Sequence, residues 1–425
     1  MRSFFYELVE DTADGNCSVY PCSLHPWSEK DVARKLATIY KLLKGEPLFT
    51  SLHTLVLDFS SISFTEASLF FSYRLQSLYI CPCNTLLDTR EVGRREQQLL
   101  SPRQLWDMCA DLLVRRAPGM RELHVASSIY NLGTFIGLVT SLKQLVDVDV
   151  SMGAKGGMDQ ARRCLAALSG LDGLRRCVFH AYSLKCITTS ELGEFKHLQS
   201  LNISTGNSVT GHILQALQSP YLRSVVIYQP IRLLEGAEWR RWLEILAHKF
   251  DQSLQKINLG RNHQNNYYLP SSYSLFRIIQ PTTHLRYLKR IYIEPGPWWY
   301  LTDDDIATLA GSWPRLESFL LELPDRGIHR SVRSFEQFAA QCPMLKFLGL
   351  SVGFGAGMEP VEVQATSHSL EMLTTRLYWS KTGPEHPEKV AKIVKRIFPR
   401  LNLAYTQNDK DFLGLRFLPG KTSPK

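Results

Sequence analysis

The stretch Leu198-Gln199-Ser200-Leu201-Asn202-Ile203 decides how this chain is read, because its spacing returns. Leu254-Gln255-Lys256-Ile257-Asn258-Leu259 has the same form, and so has Leu345-Lys346-Phe347-Leu348-Gly349-Leu350. Working outward from these copies, the first apolar place recurs as Leu52, Leu75, Met120, Leu145, Leu174, Leu198, Leu222, Leu254, Leu288, Leu316, Leu345 and Leu370. Most steps between these anchors are 23–34 residues. The step from Leu75 to Met120 is longer and holds the polar run Asp88–Gln98. It reads as an insertion near residues 81–101, ahead of a helix starting near Pro102.

Inside each phrase apolar residues alternate with period two, which makes a short strand whose anchors face one way. Between phrases the period turns helical, as in Leu105–Val114, Glu238–Ala247 and Phe335–Ala340. Strand then helix at a fixed period is the pattern of an α/β leucine-rich-repeat solenoid. Parallel strands should line a concave face with helices outside, joined by right-handed crossovers. A core that grows one repeat at a time also frees 425 residues from the size limit of ~250–300 residues on a single core. The shortest repeats of this kind carry an Asn just after the strand. Here only Asn262, and less clearly Asn207, stands there, so these repeats are long and irregular. The solenoid should occupy residues 51–385 between an N-terminal cap, 1–50, and a C-terminal cap helix and tail, 386–425. The helix Asp31–Leu43 suits the front cap and a basic helix over Pro387–Phe398 the rear.

Composition limits the function classes. With 44% hydrophobic and 21% charged residues the chain is ordinary globular protein. Its N-terminus reaches acidic residues before any apolar stretch develops, and no run approaches the ~18 apolar residues of a membrane span. Nine scattered cysteines form no C-x-x-C pair, and Cys81-Pro82-Cys83 has no zinc-spaced partners. Free thiols in a reducing compartment are expected, and with them an intracellular, cytoplasmic or nuclear, location. The net charge of +9 is spread in pairs such as Arg175-Arg176 and Arg240-Arg241 without a nucleic-acid-reading motif. An acidic protein partner fits it better than a nucleic acid, and neither cofactor nor membrane is implied.

Three motifs suggest chemistry. Gly349-Leu350-Ser351-Val352-Gly353 has the letters of a nucleophile elbow, with His368 and His386 downstream. An elbow needs strand, strained turn and helix, whereas Leu350 is already a repeat anchor and no helix start follows. A serine hydrolase using Ser351 is therefore the alternative reading, beside a basic nucleic-acid-binding repeat protein. Gly153–Gly157 lacks the Walker spacing. Asp303-Asp304-Asp305 after Thr302 reads as a capping box, the helix dipole accounting for the acids without a metal.

Three phrases share further wording: Leu309-Ala-Gly-Ser-Trp313-Pro-Arg-Leu316, Phe338-Ala-Ala-Gln-Cys342-Pro-Met-Leu345 and Val394-Lys-Arg-Ile-Phe398-Pro-Arg-Leu401. This order of helix, Trp/Cys/Phe-Pro, x-Leu and strand resembles the leucine-rich regions of fungal F-box proteins over about residues 50–405. The resemblance implies a non-enzymatic scaffold that holds a protein substrate for a ubiquitin ligase, with an N-terminal F-box docking a Skp1-type adaptor. Residues 1–50 lack the Leu-Pro-containing helix that opens an F-box, so only the repeat role is carried over.

The repeat register gives a surface map. The residues flanking each second anchor should point onto the concave sheet: Tyr79, Glu122, His124, Asp147, Asp149, Arg176, Asn202, Lys256, Asn258, Arg290 and Tyr292, with His180 and Tyr228 one step further along. A parallel ladder sets Asp147 beside Arg176. A second candidate surface is a pair of aromatic loops carrying Tyr267, Tyr268, Trp298 and Trp299. Those side chains either bind a partner or cover the solenoid edge, and exposure of the two indoles decides between the roles.

Overall fold

The computed structural model describes residues 5–11, 16–22, 38–39, 41–44, 46–58, 64–81, 102–126, 132–152, 158–181, 184, 186–229, 236–261, 273–294, 299–321, 331–354, 368, 370–379, 387–409 and 412–419. The chain falls into two compact units, Met1–Ser219 and Pro220–Lys425.

The first unit opens with an antiparallel hairpin, β1 (Phe5–Asp11) and β2 (Asn16–Cys22), in which Phe5 faces Cys22 and Asp11 faces Asn16. Sequence reading placed only a helix in this region, and of that helix residues 31–37 lie outside the described residues. Strands and helices then alternate: β3 (Thr54–Asp58), α1 (Phe64–Phe70), β4 (Ser77–Cys81), α2 (Pro102–Arg116), β5 (Glu122–Ala126), α3 (Leu132–Ser141), β6 (Asp147–Met152), α4 (Met158–Ser169), β7 (Arg176–Ala181), β8 (Ser200–Thr205) and α5 (Asn207–Ala216). Between β7 and β8 the helix shrinks to one 3-10 turn, Thr189–Glu191. The six strands β3–β8 pair in parallel, with the second anchors Leu55, Leu78, Leu123, Val148, Cys177 and Leu201 in one line. The insertion expected near 81–101 lies outside the described residues beyond Cys81.

The second unit repeats the plan with β9 (Ser224–Gln229), α6 (Gly236–Phe250), β10 (Lys256–Arg261), β11 (Tyr273–Ser274), α7 (Leu275–Ile279), β12 (Arg290–Ile293), β13 (Trp299–Tyr300), α8 (Asp303–Ser312), β14 (Ser318–Leu321), α9 (Arg333–Gln341), β15 (Phe347–Leu350), β16 (Val352–Phe354) and β17 (Met372–Trp379). Strands β9, β10, β12, β14, β15 and β17 are parallel neighbours, again with their second anchors in line from Val225 to Leu373. After α10 (Pro387–Ile397), strands β18 (Leu401–Asp409) and β19 (Phe412–Pro419) form a hairpin whose β19 runs antiparallel to β17. This is an α/β leucine-rich-repeat fold.

Every one of the twelve first anchors is buried, none more than 2% exposed. The alternation that sends them inward sends their neighbours to the helix-free, open face, as the buried–intermediate alternation along Asp147–Met152 shows. The repeats are joined by backbone at the strand entrances. The His53 carbonyl accepts both the Gln76 and Ser77 amides at 2.7 and 2.9 Å, and the Gln76 carbonyl accepts both Arg121 and Glu122 at 2.8 and 2.9 Å. The step recurs through Arg121, Val146 and Arg175, and in the second unit through Arg223, Gln255, Lys289, Glu317 and Lys346.

The Trp/Cys/Phe-Pro wording has a physical cause. The amides of Leu316, Leu345 and Leu401 donate to the carbonyls of Trp313, Cys342 and Phe398, three residues back, at 3.0–3.1 Å. Each phrase is thus a tight turn with Pro second, where its fixed φ fits and no N–H is needed. The residue before Pro is fully buried in all three, and Trp313 Nε1 also donates to the Thr282 carbonyl at 3.0 Å.

The two sides of a strand should answer differently to truncation. Leu201→Ala is expected to lower stability by about 2–5 kcal/mol through lost burial and a cavity. Ser200→Ala, one residue before but facing out, should change it by less than about 0.5 kcal/mol. Urea unfolding of both variants checks the assignment.

Candidate functional site

The open face of the first unit carries a connected polar cluster. Adjacent strands put Tyr79, His124 and Asp149 in one row and Glu122, Asp147 and Arg176 in the next. Glu122 Oε2 accepts from the hydroxyls of Ser77 and Tyr79 at 2.8 and 3.1 Å. The Tyr79 ring stacks on His124, centroids 4.3 Å apart and planes 8° from parallel. His124 stands between two acids, with Nε2 3.9 Å from Asp147 Oδ1 and Nδ1 3.9 Å from Asp149 Oδ2, too long for hydrogen bonds. Asp147 is engaged from the other side, where Arg176 Nη1 donates to its two oxygens at 2.8 and 2.9 Å. That is the neighbour pair the ladder implies. Its half-exposed setting limits it to under about 1 kcal/mol.

His180 and Asn202 continue the face on β7 and β8, each half-buried. His180 Nδ1, Asn202 Oδ1 and Ser204 Oγ are buried atoms with no hydrogen-bond partner among the described residues, and His124 Nε2 is a fourth. Burial lowers the His180 pKa below its ordinary value, against an opposing pull from Asp149. Ser204 and the unpartnered atoms were not foreseen from the sequence. Only its period-two place, two residues after Asn202, could have pointed to Ser204.

The open face of the second unit differs in character. Lys256 and Arg290 are direct neighbours across β10 and β12, with no ion pair to either among the described residues. Asn258 and Tyr292 form the next row, where Asn258 Oδ1 is again a buried atom without a partner. The Tyr292 hydroxyl donates to Glu294 Oε2 at 3.4 Å. Tyr228 packs against Gly260, where a Cβ would meet its ring at 2.5 Å, so the glycine makes room for the ring.

The remaining candidates divide. Tyr267, Tyr268 and Trp298 lie outside the described residues. Trp299 takes the structural role of the two considered. It is 3% exposed and meets Trp239 edge to face at 5.1 Å, which removes it from any solvent-facing loop surface. Thr302 and Asp305 form the reciprocal capping box, with bonds of 3.2 and 2.9 Å, while Asp303 accepts from Ser331 and Ser334. Ser351 is 4% exposed and leads into the strand Val352–Phe354 where an elbow needs a helix. Downstream His368 is a buried bracket: Nε2 donates to the Cys342 carbonyl at 2.8 Å and Nδ1 accepts the Leu370 amide at 3.1 Å. Its two nitrogens are committed to backbone, so it has none to offer a serine. Burial also pushes the Cys109, Cys177 and Cys342 thiols up to about 12, far from reactive thiolates. Among the described residues no group of His, Cys, Asp and Glu is placed to hold a metal ion. Nor is any helix there long and apolar enough to cross a membrane.

Comparison with known proteins finds no matching family model and no matching curated protein. Solved structures do match in shape. In the yeast Rad7–Elc1 complex a chain aligns with TM-score 0.37 and 15% identity, covering 77% of this chain and 78% of that one. The leucine-rich repeat-containing protein LegL7 from Legionella pneumophila aligns with TM-score 0.36 and 11% identity, over 89% and 97% of the two chains.

Tyr79 provides a spectroscopic handle on the cluster. Its pKa is raised from 10.0 to about 12 by burial, then by the charge and hydrogen bond of Glu122. A raised folded-state value means the stabilisation is complete below pH 10 and is lost as pH climbs toward 12. Alkaline absorbance titration should show one late tyrosine that vanishes in Tyr79→Phe and ionises earlier in Glu122→Gln.

Proposed function

We propose that the chain is a non-enzymatic protein-binding scaffold whose binding surface is the open face of its repeats. The observation that supports this reading is the row of partly exposed polar side chains that the parallel register sets side by side in the first unit: Tyr79, Glu122, His124, Asp147, Asp149 and Arg176. The strands that present these side chains are held before binding, so little ordering is required when a partner arrives.

The finer reading is an intracellular substrate receptor of the F-box type, supported by the shared helix, Trp/Cys/Phe-Pro, x-Leu, strand wording. Tyr79, Glu122, His124, Asp147, Asp149, Arg176, His180, Asn202, Tyr228, Lys256, Asn258, Arg290 and Tyr292 would carry partner contacts. Docking of a Skp1-type adaptor is a separate property, and co-purification of the full chain with such an adaptor tests it.

The scaffold reading is tested by photocrosslinking. A benzophenone amino acid at Tyr79 or Tyr292 should give covalent protein adducts in extracts of the producing cells. The same group at the exposed Met158 or Met344, away from the strands, should give none. Adducts only from Met158 and Met344 would move the binding surface off the open face. Ser351→Ala should leave binding unchanged.

A further inference from the structure

The open face of the second unit separates charge from apolar surface. Its first outward row runs Ser224, Lys256, Arg290, Ser318, Phe347 and Met372 across β9, β10, β12, β14, β15 and β17. In the next row Tyr292 stands beside Leu320, and Leu320 beside Gly349. Arg290 is exposed, and Lys256, Tyr292, Leu320, Phe347 and Met372 are each partly exposed, so all six side chains are open to a partner.

One end of this surface is cationic and uncompensated. Lys256 and Arg290 are register partners on strands ~4.8 Å apart, and like charges side by side weaken a sheet. The nearby acids are engaged elsewhere: Glu317 pairs with Lys289 at 3.0 Å, and Glu294 accepts the Tyr292 hydroxyl. Among the described residues neither cation has an ion pair. The other end is apolar. Phe347 and Met372 are register partners, and Leu320 leans over Gly349, where an added Cβ would collide with its Cδ1. The missing side chain at Gly349 therefore lets Leu320 extend onto β15, toward the strand that carries Phe347.

These two ends define what fits. Arg290 is two strands from Phe347 and three from Met372, roughly 10 and 14 Å at the usual strand spacing. An extended segment advances ~3.3 Å per residue, so one laid across the strands covers that span in three or four residues. Carboxylates complement the two cations, and a large apolar side chain gains by leaving water over Leu320, Phe347 and Met372. A nucleic-acid strand matches the cations alone, because Leu320 and Met372 offer no ring on which a base could stack.

We infer that the open face of the second unit binds an acidic polypeptide segment. Its carboxylates meet Lys256 and Arg290, and a large apolar side chain three or four residues on rests against Leu320, Phe347 and Met372. This deepens the scaffold reading and rests on the open face being the binding surface.

The test is fluorescence anisotropy on the full chain with three fluorescein-labelled peptides. The first carries two aspartates two residues apart, then a phenylalanine four residues on, in a glycine-serine background. The second has lysine at each aspartate, and the third has serine at the phenylalanine. The first peptide should bind at least about tenfold more tightly than either of the others, and less tightly as salt is raised. Lys256→Gln combined with Arg290→Gln should weaken it about tenfold and flatten the salt dependence, with circular dichroism confirming the fold. Arg163→Gln, an exposed cation on α4 of the first unit, should leave it unchanged. Equal binding of the three peptides would overturn the inference, as would an unaltered affinity in the double variant. Tighter binding of a single-stranded oligonucleotide that displaces the first peptide would also overturn it, naming a nucleic acid as occupant. So would self-association that the double variant abolishes, naming a second copy of the chain. Crosslinks from Tyr292 combined with no preference among the peptides would sink this inference alone; absence of open-face crosslinks would sink the scaffold reading beneath it.

Discussion

A single backbone carbonyl at each strand entrance, receiving two amides from the next strand, is the contact on which the repeats depend. It recurs from His53 to Arg175 in the first unit and from Arg223 to Lys346 in the second, at 2.7–3.1 Å throughout. The contact fixes register, and register fixes which face every later residue meets, because a slip of one residue would exchange the two faces. Leucine anchors provide the burial that drives folding, but they are interchangeable with Met, Ile, Val, Phe and even Cys177. The carbonyl step uses no side chain at all. That explains how repeats of such unequal length stay aligned without the regular asparagine of shorter kinds.

The repeat architecture was legible because the anchors recur in sequence and each is buried where it recurs. Local turns were legible in part: the Trp313-Pro, Cys342-Pro and Phe398-Pro wording marks real turns, and the Thr302 capping box is as spelled. The hairpin Phe5–Cys22 was not foreseen, since its residues share no phrase with the repeats and their pairing is set only by each other. Trp299 also escaped a firm reading. Whether an indole two residues after Pro297 points to water or to Trp239 depends on a helix sixty residues away in sequence, and the local letters do not encode that distance.

The candidate surface divides in the same way. Alternation and parallel register alone bring Asp147 to Arg176, and the two are bonded. The stacking of Tyr79 on His124 and the sharing of Glu122 by two hydroxyls require rotamers, which a periodic pattern does not contain. Unmet atoms such as Ser204 Oγ are further still from the sequence, being defined by what surrounds them. Charge shows the gap most clearly. The total of +9 averages over faces, whereas adjacent strands of the first unit set Glu122, Asp147 and Asp149 close to Arg176. A partner responds to the nearby field, because at physiological ionic strength charges beyond ~8 Å are largely screened.

The carbonyl step also bears on how such a chain can lengthen in evolution. A duplicated stretch of gene encoding one strand, its turn and its helix brings its own carbonyl to receive the following amides and its own amides to meet the preceding carbonyl. The copy enters the array without any compensating change in its neighbours, and its outward residues are at once free to diverge. Recognition can then be revised one outward residue at a time, as lettering on a ruler is changed without moving the marks.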